Sequence, residues 1–355
     1  MELYEHELYR EDVRICGELP LDWECLRDRT VLITGASGLI GSFLIDVLMS
    51  KKLNCRIYAV GRNTENAKKR FAPYWESENF RFLACDVNEG IAAPLKGLDY
   101  IIHAASNTHP ALYAQDPIGT ITANVLGTYH VLELAAKEKV KRVLFLSSVE
   151  VYGENRGDCE RFAEDYCGYL DCNTLRAGYP ESKRAGEALC QAYIRQKGLD
   201  IVIPRLPRTY GPTMQMSDTK AIAQFIKKGA ADEDIVLKSE GNQLYSYCHV
   251  LDSVSGIFWC LMKGACGEAY NIADEASDMR LKDIARLIAD YVGKKVIYEL
   301  PDAVEQAGYS RASVALMDST RLRGLGWRAV YPMKEGVERT ISILKGEQTC
   351  RRNRR

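Results

Sequence analysis

The stretch from Thr30 to Leu48 constrains this chain more than any other. Thr30–Thr34 (TVLIT) is a short, continuous apolar run, the pattern of a strand buried on both faces of a parallel sheet. It passes directly into Gly35-Ala36-Ser37-Gly38-Leu39-Ile40-Gly41, and apolar residues at helical spacing continue over Leu39–Leu48. A glycine loop between such a strand and such a helix is the position of a phosphate-binding loop, because backbone N–H groups at a helix N-terminus attract an anion. Gly35 suits the tight turn off the strand, Gly38 the approach of backbone to a pyrophosphate, and Gly41 the close packing of helix on sheet.

The alternation continues. Arg56–Val60, Phe80–Ala84, Tyr100–Ala104, Val143–Leu146 and Asp200–Pro204 read as strands. Thr64–Phe71, Ile118–Lys139 and Pro180–Lys197 read as helices. This predicts an α/β fold, a doubly wound parallel sheet covered by helices on both faces. After Pro204 the texture changes. Residues 205–246 carry Pro207, Gly211, Pro212, Gly229 and Gly241 and read as irregular. Strand and helix signals return at Tyr247–Leu261 and Ala269–Ile272, then amphipathic helices at Asp283–Val292 and Glu335–Leu344. The expected organisation is an N-terminal extension over 1–29, helical in part, and a dinucleotide-binding domain over 30–204. A smaller α/β substrate domain, partly interleaved with the first, follows over 205–346, and then a basic tail, expected to be disordered, over 347–355.

Composition excludes several classes. The 47 basic and 48 acidic residues leave a net charge of −1, so no global field favours nucleic acid or a membrane surface. No apolar run reaches signal-peptide or membrane-spanning type, which sets a cytoplasmic expectation. The 12 cysteines lack paired ligand spacings, so reduced thiols and no metal are expected.

Chemistry concentrates in two further places. Tyr179-Pro-Glu-Ser-Lys183 puts a phenol and an ammonium four residues apart on one helix face. Ser147-Ser148-Val149-Glu150 ends the fifth strand, where this architecture places its reactive groups. Ser148 can present a hydroxyl to Tyr179. Lys183 and an oxidised nicotinamide would both favour the phenolate, making Tyr179 a usable base. Glu150 follows Ser148 by two residues, so both side chains point the same way if the strand continues. The second strand ends Gly61-Arg62-Asn63 with no carboxylate, and a guanidinium there suits a 2′-phosphate, which leans from NAD toward NADP. Asp86, after the third strand, can accept from an adenine amino group. His103, Tyr113, Tyr129, Tyr152 and Tyr193 read as packing residues.

As a set, TGASGLIG (Thr34–Gly41), Asp86-Val87, HAAS (His103–Ser106), Asn124 to Thr128, SSVEVYG (Ser147–Gly153), YPESK (Tyr179–Lys183), Arg205 to Pro212 and His249 to Asp252 resemble the extended short-chain dehydrogenase/reductase family of nucleotide-sugar epimerases and dehydratases. Within it, Glu164–Tyr169 and Arg176 to Arg184 look most like UDP-glucuronate decarboxylases, and Glu150 also matches the 4,6-dehydratases. The resemblance implies Tyr179, Ser148, Lys183 and Glu150 as catalytic residues. It implies cofactor contacts from Gly35, Ser37, Gly38, Leu39, Ile40, Gly41, Arg62, Asp86, Val87, Ala104, Ala105, Asn124, Tyr179 and Lys183. Substrate contacts fall to Ser106, Glu150, Arg208 and Tyr245. The family often has Asn at the position of Arg208, and an Arg that binds the diphosphate at that of Tyr245. The implied reaction is oxidation of a sugar C4 hydroxyl on a nicotinamide cofactor, followed by decarboxylation or dehydration. A 4-epimerase, an NADPH-dependent reductase and a non-catalytic dinucleotide sensor are the alternatives. A homodimer pairing through Ile118–Lys139 and Pro180–Lys197 is also implied.

Overall fold

A computed structural model describes residues 3–92, 95, 97–108, 113, 115–299 and 313–347. The basic tail beyond Glu347 lies outside the described residues.

The chain opens with α1 (Glu7–Gly17), then β1 (Thr30–Thr34), α2 (Leu39–Ser50), β2 (Arg56–Gly61), α3 (Thr64–Arg70), β3 (Phe80–Ala84) and β4 (Tyr100–His103). There follow α4 (Pro117–Glu138), β5 (Arg142–Phe145), β6 (Ser147–Ser148), α5 (Gly178–Lys197) and β7 (Ile201–Leu206). With β11 (Ala269–Asn271) these strands form one parallel sheet in the order β11-β7-β5-β4-β1-β2-β3, β6 pairing with β7. The strand order reverses between β1 and β4, and a doubly wound sheet binds its ligands at the crevice this opens.

All five residues of β1 are buried, as the unbroken apolar run requires. One sheet face packs on α4 and α5, with Leu32, Ile101, Val131, Leu132 and Cys190 in that core. The other packs on α1, α2 and α7 (Val250–Lys263), with Ile33, Phe43, Val254 and Phe258. Each such side chain is worth about 1.5–3 kcal/mol when fully buried. α4 starts where Asp116 accepts from the Gly119 N–H at 2.9 Å with Pro117 in the first turn, and stops at Lys139 in a left-handed conformation.

The N-terminal residues are more than an extension. Tyr9, Cys16, Trp23 and Leu26 are buried in the same core as β1 and α2. Asp12 on α1 pairs at 2.6 Å with Arg339 on α9 (Met333–Lys345), joining the two ends of the chain.

Half of residues 205–246 are in regular elements, where the sequence reading has the segment irregular. They contain β8 (Arg208–Tyr210), α6 (Ala221–Ala230), β9 (Ile235–Leu237) and the start of β10 (Leu244–His249). The strands are too short for periodicity to register, and they pair with distant partners. β10 takes β8, β12 (Asp278–Arg280) and β14 (Val314–Ala315), while β9 takes β13 (Val296–Tyr298). Gly229 misled for a packing reason. It lies inside α6 where that helix crosses α8 (Leu281–Val292), and a Cβ there would stand 2.7 Å from Ile288 Cγ2. These elements share a second core built from Phe225, Ile226, Tyr247, Ile288 and Ile341.

Candidate active site

A cleft of ≈1640 Å³ runs from the ends of β2 and β3, over the glycine loop, to the second core. The loop geometry explains its glycines. Gly35 has φ +66°, and a Cβ on it would lie 2.7 Å from the Ala104 carbonyl group. A Cβ on Gly41 would collide with the Gly35 carbonyl oxygen. The Thr34 hydroxyl accepts from the Ala104 and Ala105 N–H groups, both at 3.1 Å, so β1 and β4 end tied together. His103 serves the same joint. Its Nδ1 lies 2.7 Å from Thr34 Oγ1 and its Nε2 3.2 Å from Thr128 Oγ1, and burial brings it down to about 3, a neutral packing residue.

Ser37, Gly38, Leu39, Ile40, Arg62, Asp86, Val87, Ala104 and Ala105 line the cleft with Gly35 and Gly41. Arg62 is exposed at its rim, beside Asn66 and Lys69. Asp86 Oδ1 accepts from the Asn88 N–H at 2.9 Å. Asn124 departs from expectation, because it does not line the cleft. It is buried, its Oδ1 accepting from Ser106 at 2.8 Å and its Nδ2 donating to Ser182 at 2.9 Å. The Nδ2 bond braces α4 against α5, and the Oδ1 bond ties α4 to the loop after β4.

Tyr179, Lys183 and Ser148 meet in the middle of the cleft. The hydroxyls of Ser148 and Ser106 both hydrogen-bond the Tyr179 phenol, and the ring stacks on Tyr113 with centroids 4.9 Å apart. Tyr113 was read as packing from the sequence. It is the platform on which the Tyr179 ring rests, and nothing in its spacing signalled that. The fifth strand breaks at Leu146, which frees that carbonyl to accept from Lys183 Nζ at 2.8 Å. Burial brings the Lys183 ammonium down to about 8, against the pull of Glu187. Burial also pushes the Tyr179 phenol up to about 12, with Ser148 pulling it down and Glu150 pushing it further up. Lys183 is not among its main influences, so the depression expected from this pair is not produced by the protein groups themselves.

Glu150 does not follow Ser148 along a strand. The chain turns into a 3₁₀ turn over Val149–Tyr152, and Ser148 Oγ caps it by accepting from the Glu150 N–H at 3.3 Å. The turn still delivers Glu150 to the cleft, where it sits between two arginines. Arg176 Nη2 donates to Oε2 at 2.8 Å, and Arg208 Nη2 lies 3.5 Å from Oε1. Burial alone would raise the carboxyl, but the two guanidinium groups outweigh it and hold Glu150 below the usual carboxylate range. Arg176 also covers Tyr113, 4.7 Å from its centroid, and Arg208 lies flat on Tyr245 at 3.4 Å. Arg184 takes no part, bonding instead to the Val151 and Gly168 carbonyls.

A buried brace holds this wall. Arg205 pairs through two nitrogens with Glu187, which also accepts from Ser147 at 2.6 Å, and Arg205 reaches Tyr152 at 2.9 Å. On the opposite rim Thr213 donates to the Leu39 carbonyl at 2.7 Å and Gln215 to that of Ser37 at 3.3 Å. This latches the second core over the glycine loop, a contact the irregular reading of 205–246 missed. Among the described residues no group of three or more side chains could hold a metal ion, and no helix is long and apolar enough to cross a membrane.

The model of the NAD dependent epimerase/dehydratase family matches residues 31–273. The chain belongs to that family. UDP-glucuronic acid decarboxylase 1 of Xenopus tropicalis is 30% identical over 92% of this chain and 75% of its own length. The fold is shared with dTDP-glucose 4,6-dehydratase from Streptomyces venezuelae, solved with NAD, at TM-score 0.75 and 24% identity over 88% of this chain and 96% of that one. It is shared equally with UDP-glucuronic acid 4-epimerase from Bacillus cereus, solved with UDP-glucuronic acid and NAD, at TM-score 0.76 and 21% identity over 89% and 99%.

Proposed function

We propose that this chain oxidises the C4 hydroxyl of a nucleotide-activated uronic acid, releases the C5 carboxylate as carbon dioxide with a proton taken up at C5, and then reduces the C4 keto group again with the same hydride. Similarity to the UDP-glucuronic acid decarboxylases supports the substrate class. The observation that carries the choice of second step is the pair of guanidinium groups on Glu150. Dehydration needs a base at the C5 proton, and a carboxylate held down by two arginines is a weak base. Decarboxylation needs none, because a 4-keto sugar with a C5 carboxylate is a β-keto acid that breaks its own carbon–carbon bond.

The cleft fits a nicotinamide dinucleotide. The glycine loop leaves no room for a Cβ at Gly35 or Gly41, and Arg62 and Asp86 stand at the end where an adenosine would lie. A bound dinucleotide supplies the hydride acceptor and, when oxidised, a positive charge beside the phenol. Tyr179 takes the C4 hydroxyl proton while Ser148 holds the same oxygen. Tyr113 keeps the phenol ring in place, and Lys183 is fixed below it by the Leu146 carbonyl.

Incubation with UDP-glucuronate, UDP-glucose and dTDP-glucose tests the reading. Loss of one carbon dioxide from UDP-glucuronate is expected. Loss of water makes the chain a dehydratase, and conversion without mass change makes it an epimerase.

Cofactor choice gives a separate prediction. Arg62 favours the 2′-phosphate of NADP. Arg62→Ala is expected to shift the NADP-to-NAD affinity ratio toward NAD by roughly tenfold, the scale of one charged hydrogen bond. An unchanged ratio in calorimetric titration means Arg62 does not read the phosphate.

The chain is also expected to pair with itself. Ile118, Ile121, Leu126 and Tyr129 form an exposed stripe along α4, Ile118 being 76% exposed. Two copies of α4 and α5 would make a four-helix interface. Sedimentation should show a dimer at micromolar concentration, and Ile121→Glu should dissociate it. A monomeric wild type rules the pairing out.

A further inference from the structure

We propose that Arg208 is the residue by which the site selects a sugar bearing a carboxylate on the carbon next to the one oxidised. The inference rests on the nucleotide-sugar reading above and assigns its specificity to one side chain.

Three observations place it there. First, charge does not balance. Arg176, Glu150 and Arg208 bring two cations and one anion together, leaving a surplus positive charge on a wall of the cleft. Second, the surplus belongs to Arg208. Arg176 donates to Glu150 at 2.8 Å, whereas Arg208 stands off at 3.5 Å and donates no hydrogen bond among the described residues. Its side chain is 17% exposed, and its Nη1 is buried with no hydrogen-bond partner; Nε and Nη1 of Arg176 are in the same state, but that guanidinium already donates to Glu150 through Nη2. A largely buried guanidinium with unspent donors favours an incoming anion, and its flat fork matches a carboxylate. Third, its position is fixed. The guanidinium carbon lies 3.4 Å from the centroid of the Tyr245 ring, so the plane is held before any ligand arrives.

Location decides which anion. Ser148, which lines the cleft beside Tyr179, accepts from the Glu150 N–H at 3.3 Å. Arg208, 3.5 Å from the Glu150 carboxylate, therefore stands on the side of the cleft where the phenol would meet C4 and its neighbour. A diphosphate has other basic neighbours along the same cleft, Lys220 beside Asp218 at 3.0 Å, Lys228 beside Glu233 at 2.9 Å, and Lys238. A neutral hydroxymethyl group at C5 would leave the Arg208 donors unmet. A uronate carboxylate satisfies them and balances the charge.

The test is calorimetric titration of the cofactor-loaded protein with UDP-glucuronate, UDP-glucose and UDP. It compares wild type, Arg208→Gln and Arg208→Lys. Wild type is expected to prefer UDP-glucuronate over UDP-glucose. Arg208→Gln is expected to lose roughly 10- to 100-fold for UDP-glucuronate, the range of a charged hydrogen-bonded contact. The same variant should hold UDP-glucose and UDP within about twofold, which also shows that it is folded. Arg208→Lys should recover part of the loss. Equal loss for all three ligands means that Arg208 reads the diphosphate and overturns the proposal. Unchanged affinity for UDP-glucuronate overturns it as well. A wild type that binds UDP but neither sugar overturns the nucleotide-sugar reading, and the proposal with it.

Discussion

Tyr179→Phe is expected to lower turnover by about 10²- to 10⁴-fold, the usual scale for one acid–base group. The change deletes one oxygen and little else. The ring keeps its place on Tyr113, and Ser106 keeps its bond to Asn124 at 2.8 Å. Stability should change by about 1 kcal/mol, the net worth of a typical hydrogen bond. Cofactor affinity should hold, since the loop that cradles the dinucleotide is untouched. The informative readout is single-turnover absorbance of the reduced cofactor, because proton removal from C4 and cofactor reduction belong to one step. A folded Tyr179→Phe protein that reduces its cofactor at the wild-type rate would show that another group takes the proton. The structure adds a condition to this prediction. Surrounding protein holds the phenol up at about 12, so the groups of the fold alone do not make it a base at neutral pH. The charge of an oxidised nicotinamide beside the phenol would lower it, and the base strength of Tyr179 would then follow the redox state of the cofactor.

What the sequence made legible shares one property: the residues act together because they are close along the chain. The glycine loop is read within eight residues, and Tyr179 and Lys183 meet because one helical turn separates them. The alternating strands and helices of the first sheet follow from the same kind of local signal. Glu150, Arg176 and Arg208 come from a 3₁₀ turn, the turn before α5 and strand β8, three elements that only the tertiary fold brings together. Each was visible as a residue, and their arrangement was not. Tyr113 was hidden in the same way, 66 positions before the ring it supports. Asn124 shows the opposite failure. Its place in a motif suggested the cofactor, but in the fold its amide bonds Ser106 at the edge of the cleft and the buried Ser182. In 205–246, glycine and proline carried a loop signal that helix crossing and three-residue strands overrode.

Glu150→Gln is the sharpest test of the second chemical step. On the mechanism proposed above, oxidation at C4 uses Tyr179 and Ser148, so the variant should still reduce cofactor and form the 4-keto sugar. The step after it depends on how the C5 carboxylate is held. With the Glu150 charge gone, Arg176 and Arg208 lose the anion that sets them 2.8 and 3.5 Å from its two oxygens. Arg176 is then free to join Arg208 on the substrate carboxylate. A carboxylate paired with two guanidinium groups holds its charge more tightly than one paired with Arg208 alone and is slower to leave as neutral carbon dioxide. The expected result is an accumulating keto intermediate, with product formation slowed by about 10² or more, the scale of losing one positioned charge. Acid titration of stability gives an independent check on the pairing. A carboxyl held below its unfolded value contributes stability above that value and loses it as pH falls through the folded one. Wild type should therefore lose stability on the acid side more steeply than Glu150→Gln. If the variant makes product at the wild-type rate while the acid slopes differ as expected, the ion pairs are structural and the decarboxylation step does not use them. If it stalls before cofactor reduction, Glu150 acts in the oxidation itself, and the division of labour between it and Tyr179 is wrong.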